Sequence, residues 1–436
     1  MLFVREAPRD DLVVRGARVL DPAEGIDALL DVRVDGGVIV GIGEPLETNA
    51  HRVVDGTGLV LAPAFVDPHV HLRTPGREDE ETIASGTRAA AAGGYCAILA
   101  MPNTEPVVDS AAVLGALVEQ AHAEAEVPVG FLAAISKGQQ GGELTEMAEL
   151  ADAGAAGFSD DGRPVAAAGL MRRAFQYNAI TGRRIAVHCE EPTLSREGQM
   201  HEGAVSAELG FAGYPSVAES LMVGRDLGIA AYERQPIHLL HLSARESVEL
   251  LRRAQADGIE ATGEATPHHL CLTDEAVRTL DPNLKMNPPL RASEDRAALI
   301  EALRDGTIAA VATDHAPHAE HEKEVPFEEA PFGVTGLETA FAALNTHLVE
   351  PGLIGLETLL VRMSAGPARI FGLEPPRIAL GAPANLVLLD TEATWRVERD
   401  RFRSRSANSW LLGATLKGAV RLTVAGGRVV HEAATP

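Results

Sequence analysis

Residues 59–72 read LVLAPAFVDPHVHL. The run is apolar and β-branched, as a buried strand requires, until it meets Asp67-Pro68-His69-Val70-His71, where polar side chains take over. Seven more short runs of this kind follow along the chain: GYCAILAMP (94–102), VPVGFLAAI (127–135), AAGFSDD (155–161), RRIAVHCE (183–190), PIHLLHLS (236–243), GIEATGEATPHHL (258–270) and TIAAVATDHAP (307–317). Alanine-rich stretches of helical period lie between them, such as SAAVLGALVEQAHAEA and VAESLMVGRDLGIAAYE. Eight strands alternating with helices predict an α/β fold, a (β/α)8 TIM-type barrel whose chemistry gathers at the carboxyl ends of the strands.

Outward from the barrel, both ends of the chain change rhythm. DLVVRGARVLDP, ALLDVRVDGGVIVGIG and HRVVDGTGLVLAPAFVD alternate apolar and polar residues around Asp-Gly and Gly-Gly turns, and PANLVLLD and AVRLTVAGGRVVHE do the same near the end. The two ends are expected to share a small β-sandwich domain, with residues 1–62 and 373–436 flanking a barrel of residues 63–372. One long charged connection, AEHEKEVPFEEAPFGVT after the eighth strand, is expected to form a loop over the barrel mouth.

Composition narrows the function classes. With 38 basic and 62 acidic side chains the 436-residue chain carries a formal charge of −24, which disfavours nucleic acid as a partner. No apolar run approaches the roughly 20 residues of a bilayer span, and charges scattered through the first twenty residues argue against a signal peptide. The three cysteines, Cys96, Cys189 and Cys271, are too few and too far apart for a disulfide framework. A cytoplasmic protein acting on a small molecule is expected.

The chemistry-bearing residues sit at the predicted strand ends. His69 and His71, two apart on a strand, point to the same side, and neutral imidazoles so placed suit zinc. His188 ends strand five, His241 ends strand six and Asp314 ends strand eight. His238 differs in parity from His241, which lies nearer the catalytic end and is preferred. Any one of these residues could be a satisfied core histidine or a helix cap; their joint placement at one rim argues against that. They also exceed what one tetrahedral zinc needs, suggesting two metals about 3.5–4 Å apart. A bridging anion between such ions should come from strand four, which offers Asp160 and Asp161, only one of which can face inward, and no lysine. Lys137 is a minor alternative bridge.

Taken in order, PHVHLRTPG, MPNTEPVVD, SKGQQGGELTEM, GFSDDGRPV, AVHCEE, EATPHHL, KMNPPLR, ATDHAPH and PFGVTGLET resemble the motifs of the amidohydrolase superfamily, and within it bacterial class I dihydroorotase. The resemblance covers nearly the whole chain. It implies metal ligands His69, His71, Asp161, His188, His241 and Asp314, holding two Zn2+ bridged by Asp161 and hydroxide, with Asp314 also the catalytic acid and base. It further implies substrate contacts at Arg73, Asn103, Asn287 and His318 and backbone contacts near Phe332 and Gly333. The implied reaction interconverts dihydroorotate and N-carbamoyl-L-aspartate in pyrimidine biosynthesis. A homo-oligomer, and association with aspartate transcarbamoylase, are further implications of the family.

Two other readings compete. A hydantoinase or allantoinase would hydrolyse a related cyclic amide, but such relatives generally use a carbamylated lysine that strand four lacks, and a neutral hydantoin has no carboxylate for Arg73. A catalytically inactive partner of aspartate transcarbamoylase would be expected to have lost metal-binding histidines, and this chain keeps them. His268 and His269 are read as packed or supporting histidines, and Cys189 as a small buried hydrophobe.

Overall fold

The computed structural model describes residues 1–43, 45–46 and 50–433. Eight parallel strands form one sheet in sequential order: Phe65–Val70, Tyr95–Ala100, Val129–Ala133, Gly157–Phe158, Arg184–Val187, Ile237–Leu239, Ala261–Ala265 and Ala310–Val311. The ends of this sheet meet. Val70 bridges His315 in parallel, His71 N donates to His315 O at 2.9 Å, and the Asp67 carboxylate accepts from the Thr313 amide and hydroxyl. The closed sheet is therefore the barrel expected from the alternating pattern. Helices such as Ala111–Glu124, Val217–Glu233 and Ser293–Asp305 pack around it, their apolar faces sharing one core cluster with the outward strand residues.

The lumen is filled at its lower end. Leu99, Leu132, Ala186 and Ala310 meet Ile370 and Phe371 there, and the Phe371 ring stands edge-on to His238 at 5.7 Å. Burying such side chains is worth about 1.5–3 kcal/mol each and leaves the upper rim for polar groups.

A second sheet of eight strands takes Leu12–Asp21, Ile26–Asp35, Val38–Gly43, Arg52–Asp55 and Val60–Pro63 from one end of the chain. Leu386–Arg396, Thr415–Ala425 and Arg428–Glu432 come from the other. Val60–Pro63 pairs with Leu12–Asp21 on one side and Leu386–Arg396 on the other, so it joins the two halves. The sheet curls until the amide of Ile39 reaches Ala382 O and the amide of Ala384 reaches Gly37 O, enclosing Val14, Val32, Val34, Leu386, Leu388 and Val424. The run at 59–72 is thus two strands: it serves the small sheet through Pro63, turns at Ala64 and enters the barrel at Phe65.

The long connection after strand eight holds a short helix, Glu320–Lys323, and is pinned by two buried lysines. Lys323 Nζ donates to Pro282 O and Pro331 O, and Lys285 Nζ to Phe327 O and Glu328 O. Phe327 and Val334 pack with Met200, Val205, Val277 and Met286 from the connections after strands five and seven, so the three connections share an apolar cluster on the barrel's carboxyl side. Among the described residues no helix is long and apolar enough to cross a membrane.

Candidate metal centre

The carboxyl ends of five barrel strands bring six side chains to one point. His69 Nε2 and His71 Nε2 lie 3.6 and 3.5 Å from Asp161 Oδ2, and 3.4 and 3.0 Å from Asp314 Oδ1. His188 Nδ1 and His241 Nε2 lie 3.5 and 3.4 Å from the other carboxylate oxygen, Asp161 Oδ1, and 2.9 Å from each other. Asp161 thus turns one oxygen to each of two imidazole pairs. Asp160 faces the opposite way, accepting from the amides of Ile135 and Ser136 and from the Ser136 hydroxyl.

Backbone geometry at the rim explains how the strand ends deliver these groups. Strand six stops at Leu239 and strand eight at Val311, after which His241 and Asp314 take φ values of 29° and 49°. Left-handed backbone at non-glycine residues costs about 1–3 kcal/mol and persists where its surroundings impose it. It also breaks strand parity. His238 and His241 both enter the lumen, His241 at the centre and His238 lower down with its Nε2 2.9 Å from Glu264 Oε2, so the parity argument separating them does not apply.

The cluster fits a cation. Asp161 Oδ1 and His69 Nε2 are each buried with no hydrogen-bond partner, an expensive state unless something positive or proton-bearing sits beside each of them. Burial alone would make His69 harder to protonate, yet Asp161 and Asp314 push it well above the usual imidazole range. Burial likewise opposes ionisation of Asp161 and Asp314, and the histidines nevertheless hold both below the ordinary carboxylate value. The site is a trap for positive charge, supplied by protons or by metal.

Three of the four imidazoles are anchored through their second nitrogen. His69 Nδ1 lies 2.7 Å from Glu264 Oε1, His71 Nδ1 2.8 Å from Asn103 Oδ1, and His188 Nε2 2.8 Å from Glu190 Oε2. Acceptors there direct the other nitrogen to the centre and strengthen it as a ligand. Burial would raise Glu264 and Glu190, but hydrogen bonds from their histidines bring both to about 2.

A family model described as dihydro-orotase-like matches residues 58–247. A dihydroorotase from Geobacter metallireducens is 43% identical over 423 residues, covering 97% of this chain and 100% of its own. The chain belongs to the dihydroorotase family. A dihydroorotase from Geotalea daltonii is 45% identical, again over 97% of this chain. Among solved structures, an L-hydantoinase from Arthrobacter aurescens superposes with a TM-score of 0.88 at 27% identity, covering 97% of this chain and 96% of its own.

Around this dihydroorotase-family centre the other expected residues fall into two groups. Arg73, with φ 56°, directs Nε to Pro317 O and Glu80 Oε2, both at 3.0 Å. Glu80 is fully buried and also pairs with Arg77. His318 lies beside them, its Nδ1 3.4 Å from Glu80 Oε1 and its Nε2 2.8 Å from Phe332 O. The 3.4 Å approach of Arg73 Nη2 to that same nitrogen is then a meeting of two donors, and we assign the His318 proton to the Phe332 carbonyl. The amide of Gly333 donates to Lys285 O, so the backbone groups expected to meet a ligand at Phe332 and Gly333 have partners within the protein. Asn287 forms the second group, donating through Nδ2 to Glu190 Oε2 at 3.1 Å.

Lys137 is no bridge: its side chain is exposed and pairs with Glu143. His269 bonds Thr266 and Pro288 O, while His268 Nε2 is buried without a partner. The residues overlooked in the sequence are Glu190, Glu264 and Asp67. Glu190, in AVHCEE, follows its strand two residues after His188, and Glu264 lies within the buried strand Ala261–Ala265, but the sequence does not show that either carboxylate pairs with a histidine.

Proposed function

We propose that the cluster is the active centre of this cyclic amide hydrolase and that it interconverts dihydroorotate and N-carbamoyl-L-aspartate, a step of pyrimidine synthesis. The single observation that carries the reading is the split of the Asp161 carboxylate, one oxygen toward His69 and His71 and one toward His188 and His241. That split fits two divalent cations. His69, His71 and Asp314 would hold one, His188 and His241 the other, and Asp161 both. Imidazole and carboxylate donors suit zinc. When bound, such a pair acidifies water toward a pKa of about 7 and polarises a carbonyl.

The chain's own residues supply the rest. Arg73, its Nε anchored by Glu80 and Pro317, offers its remaining donors to the ring carboxylate in a planar fork. Asn103, its carbonyl fixed by His71, has its amide donors to offer. Asn287 meets the ring amide. Asp314, held as a carboxylate, accepts the proton of the attacking water and returns it to the departing ring nitrogen; in ring closure it removes a proton from the carbamoyl nitrogen. His318, its Nε2–H given to the Phe332 carbonyl, lies beside Arg73. A homo-oligomer, and a complex with an aspartate transcarbamoylase, belong to the same proposal and are read by light scattering with and without that partner.

The test is turnover by purified protein of dihydroorotate, hydantoin and allantoin, with metal analysis and with and without chelator. Zinc near two per chain and a preference for dihydroorotate are expected. Faster turnover of hydantoin or allantoin, or chelator-resistant activity, would overturn the assignment.

A further inference from the structure

Glu190 touches both halves of the site. Its Oε2 lies 2.8 Å from His188 Nε2 and 3.1 Å from Asn287 Nδ2, and its Oε1 receives the buried Ser195 hydroxyl. An ionised carboxylate accepts and never donates, so every group around it must turn a proton toward it. For His188 in its neutral, ligating form this places the proton on Nε2 and leaves the lone pair on Nδ1, the nitrogen that lies 3.5 Å from Asp161 Oδ1 and 2.9 Å from His241 Nε2. For Asn287 it fixes which end of the amide is which: the NH2 faces Glu190, and the carbonyl Oδ1 points elsewhere, buried and without a partner. An unpaired buried carbonyl is an acceptor waiting for a donor.

We infer that Glu190 is a positioning residue with two outputs: it selects the metal-facing nitrogen of His188, and it sets Asn287 to accept from a ligand N–H. The second output rests on the functional reading above. It deepens it by stating the polarity of one contact: Asn287 takes an N–H of the cyclic amide, and of the carbamoyl group after ring opening, and does not donate to a ring carbonyl. Ser195 holds the second carboxylate oxygen, so Glu190 cannot rotate away from either neighbour without losing a bond.

E190Q and E190M together test both outputs. A glutamine can keep its oxygen toward both His188 and Asn287 and turn its NH2 to the Ser195 hydroxyl, which then accepts, so it removes the charge alone; a methionine of similar length leaves both neighbours without an acceptor. At saturating zinc, E190M is expected to raise KM for dihydroorotate tenfold or more while E190Q stays within about threefold of the parent. N287A is expected to raise KM by a similar factor to E190M, and adding E190M to N287A should raise it no further. Independently of substrate, zinc affinity measured by competition with a chromophoric chelator should weaken about 10- to 100-fold in E190Q, in the presence or absence of the Asn287 side chain. N287D, which sets acceptor against acceptor without touching His188, should raise KM beyond N287A and leave zinc affinity unchanged; it serves as the second arm if E190Q lacks a cooperative melting transition.

Wild-type zinc affinity in folded E190Q overturns the His188 output. An unaltered KM in folded E190M, or KM effects that multiply in the E190M/N287A double variant, overturns the Asn287 output. A wild-type chain that binds zinc but does not turn over dihydroorotate overturns the functional reading and the Asn287 output together, and the zinc measurement still decides the His188 output.

Discussion

Asp314 carries its carboxylate 3.0 Å from His71 Nε2 on a left-handed backbone position. Changing it to asparagine keeps the size and one oxygen but removes the proton acceptor. D314N is expected to retain most of its metal and to lose about 10²- to 10⁴-fold in kcat, read by a steady-state assay beside metal analysis; an unchanged rate would contradict the proton-transfer role. R73M removes the fork, and kcat/KM for dihydroorotate should fall about 10- to 100-fold. The same change should leave turnover of dihydrouracil, which lacks the carboxylate, within about threefold. At this scale the sequence exposes residues whose chemistry is rare in buried strands. His69, His71, His188, His241 and Asp314 each stand out at the end of an apolar run. Glu190 and Glu264 do not, because their role lies in pairing, and Glu264 meets a histidine 195 positions away. No local pattern encodes that distance.

At the scale of elements, the rhythm of apolar runs and alanine-rich stretches is enough to find all eight barrel strands, since each must be buried against a helix. What it cannot give is where strand geometry ends. Strands six and eight are only three and two residues long, and the side-chain alternation that separates His238 from His241 stops with them. The segment after the last barrel strand offers a second case. Glu338 accepts the amides of Arg403 and Ser404, tying the start of the following helix to the 403–406 segment. Burial raises this carboxyl from 4.5 to about 7 despite those bonds, and nearby Glu81 adds to the rise. Between pH about 4.5 and 7 the folded chain therefore holds a proton that the unfolded chain has lost, so this group's contribution is full below the window and fades as pH rises through it. E338Q should lose that fall. Its stability relative to the parent, from urea midpoints at pH 5 and pH 8, should improve with pH by at most about 3 kcal/mol; a constant difference would contradict the buried, proton-holding carboxyl.

For the whole molecule, the two ends of the chain meet in one curled sheet, which alternation near both termini foreshadows. That Val60–Pro63 is its central joint is not readable, because the same run continues into the barrel with only Ala64 between. The carboxylates buried at the centre predict that cations bound there would stabilise the fold. Excess chelator should lower the melting temperature by about 5 °C or more and abolish activity, with both restored by zinc; calorimetry showing no shift would mean that the centre adds little to stability. The closure of the barrel has a further consequence for biosynthesis of the chain itself. Strand one and strand eight are stitched by Asp67 to Thr313 and by Val70 to His315, and the ligands they carry lie 245 positions apart, from His69 to Asp314. A nascent polypeptide on the ribosome can own four histidines and Asp161 and still be an unfinished cup. In the proposed ligand set, Asp161, His188 and His241 are all present before strand eight emerges, whereas His69 and His71 meet Asp314 only once that strand zips the seam, so the two halves of the centre would be completed at different points of synthesis.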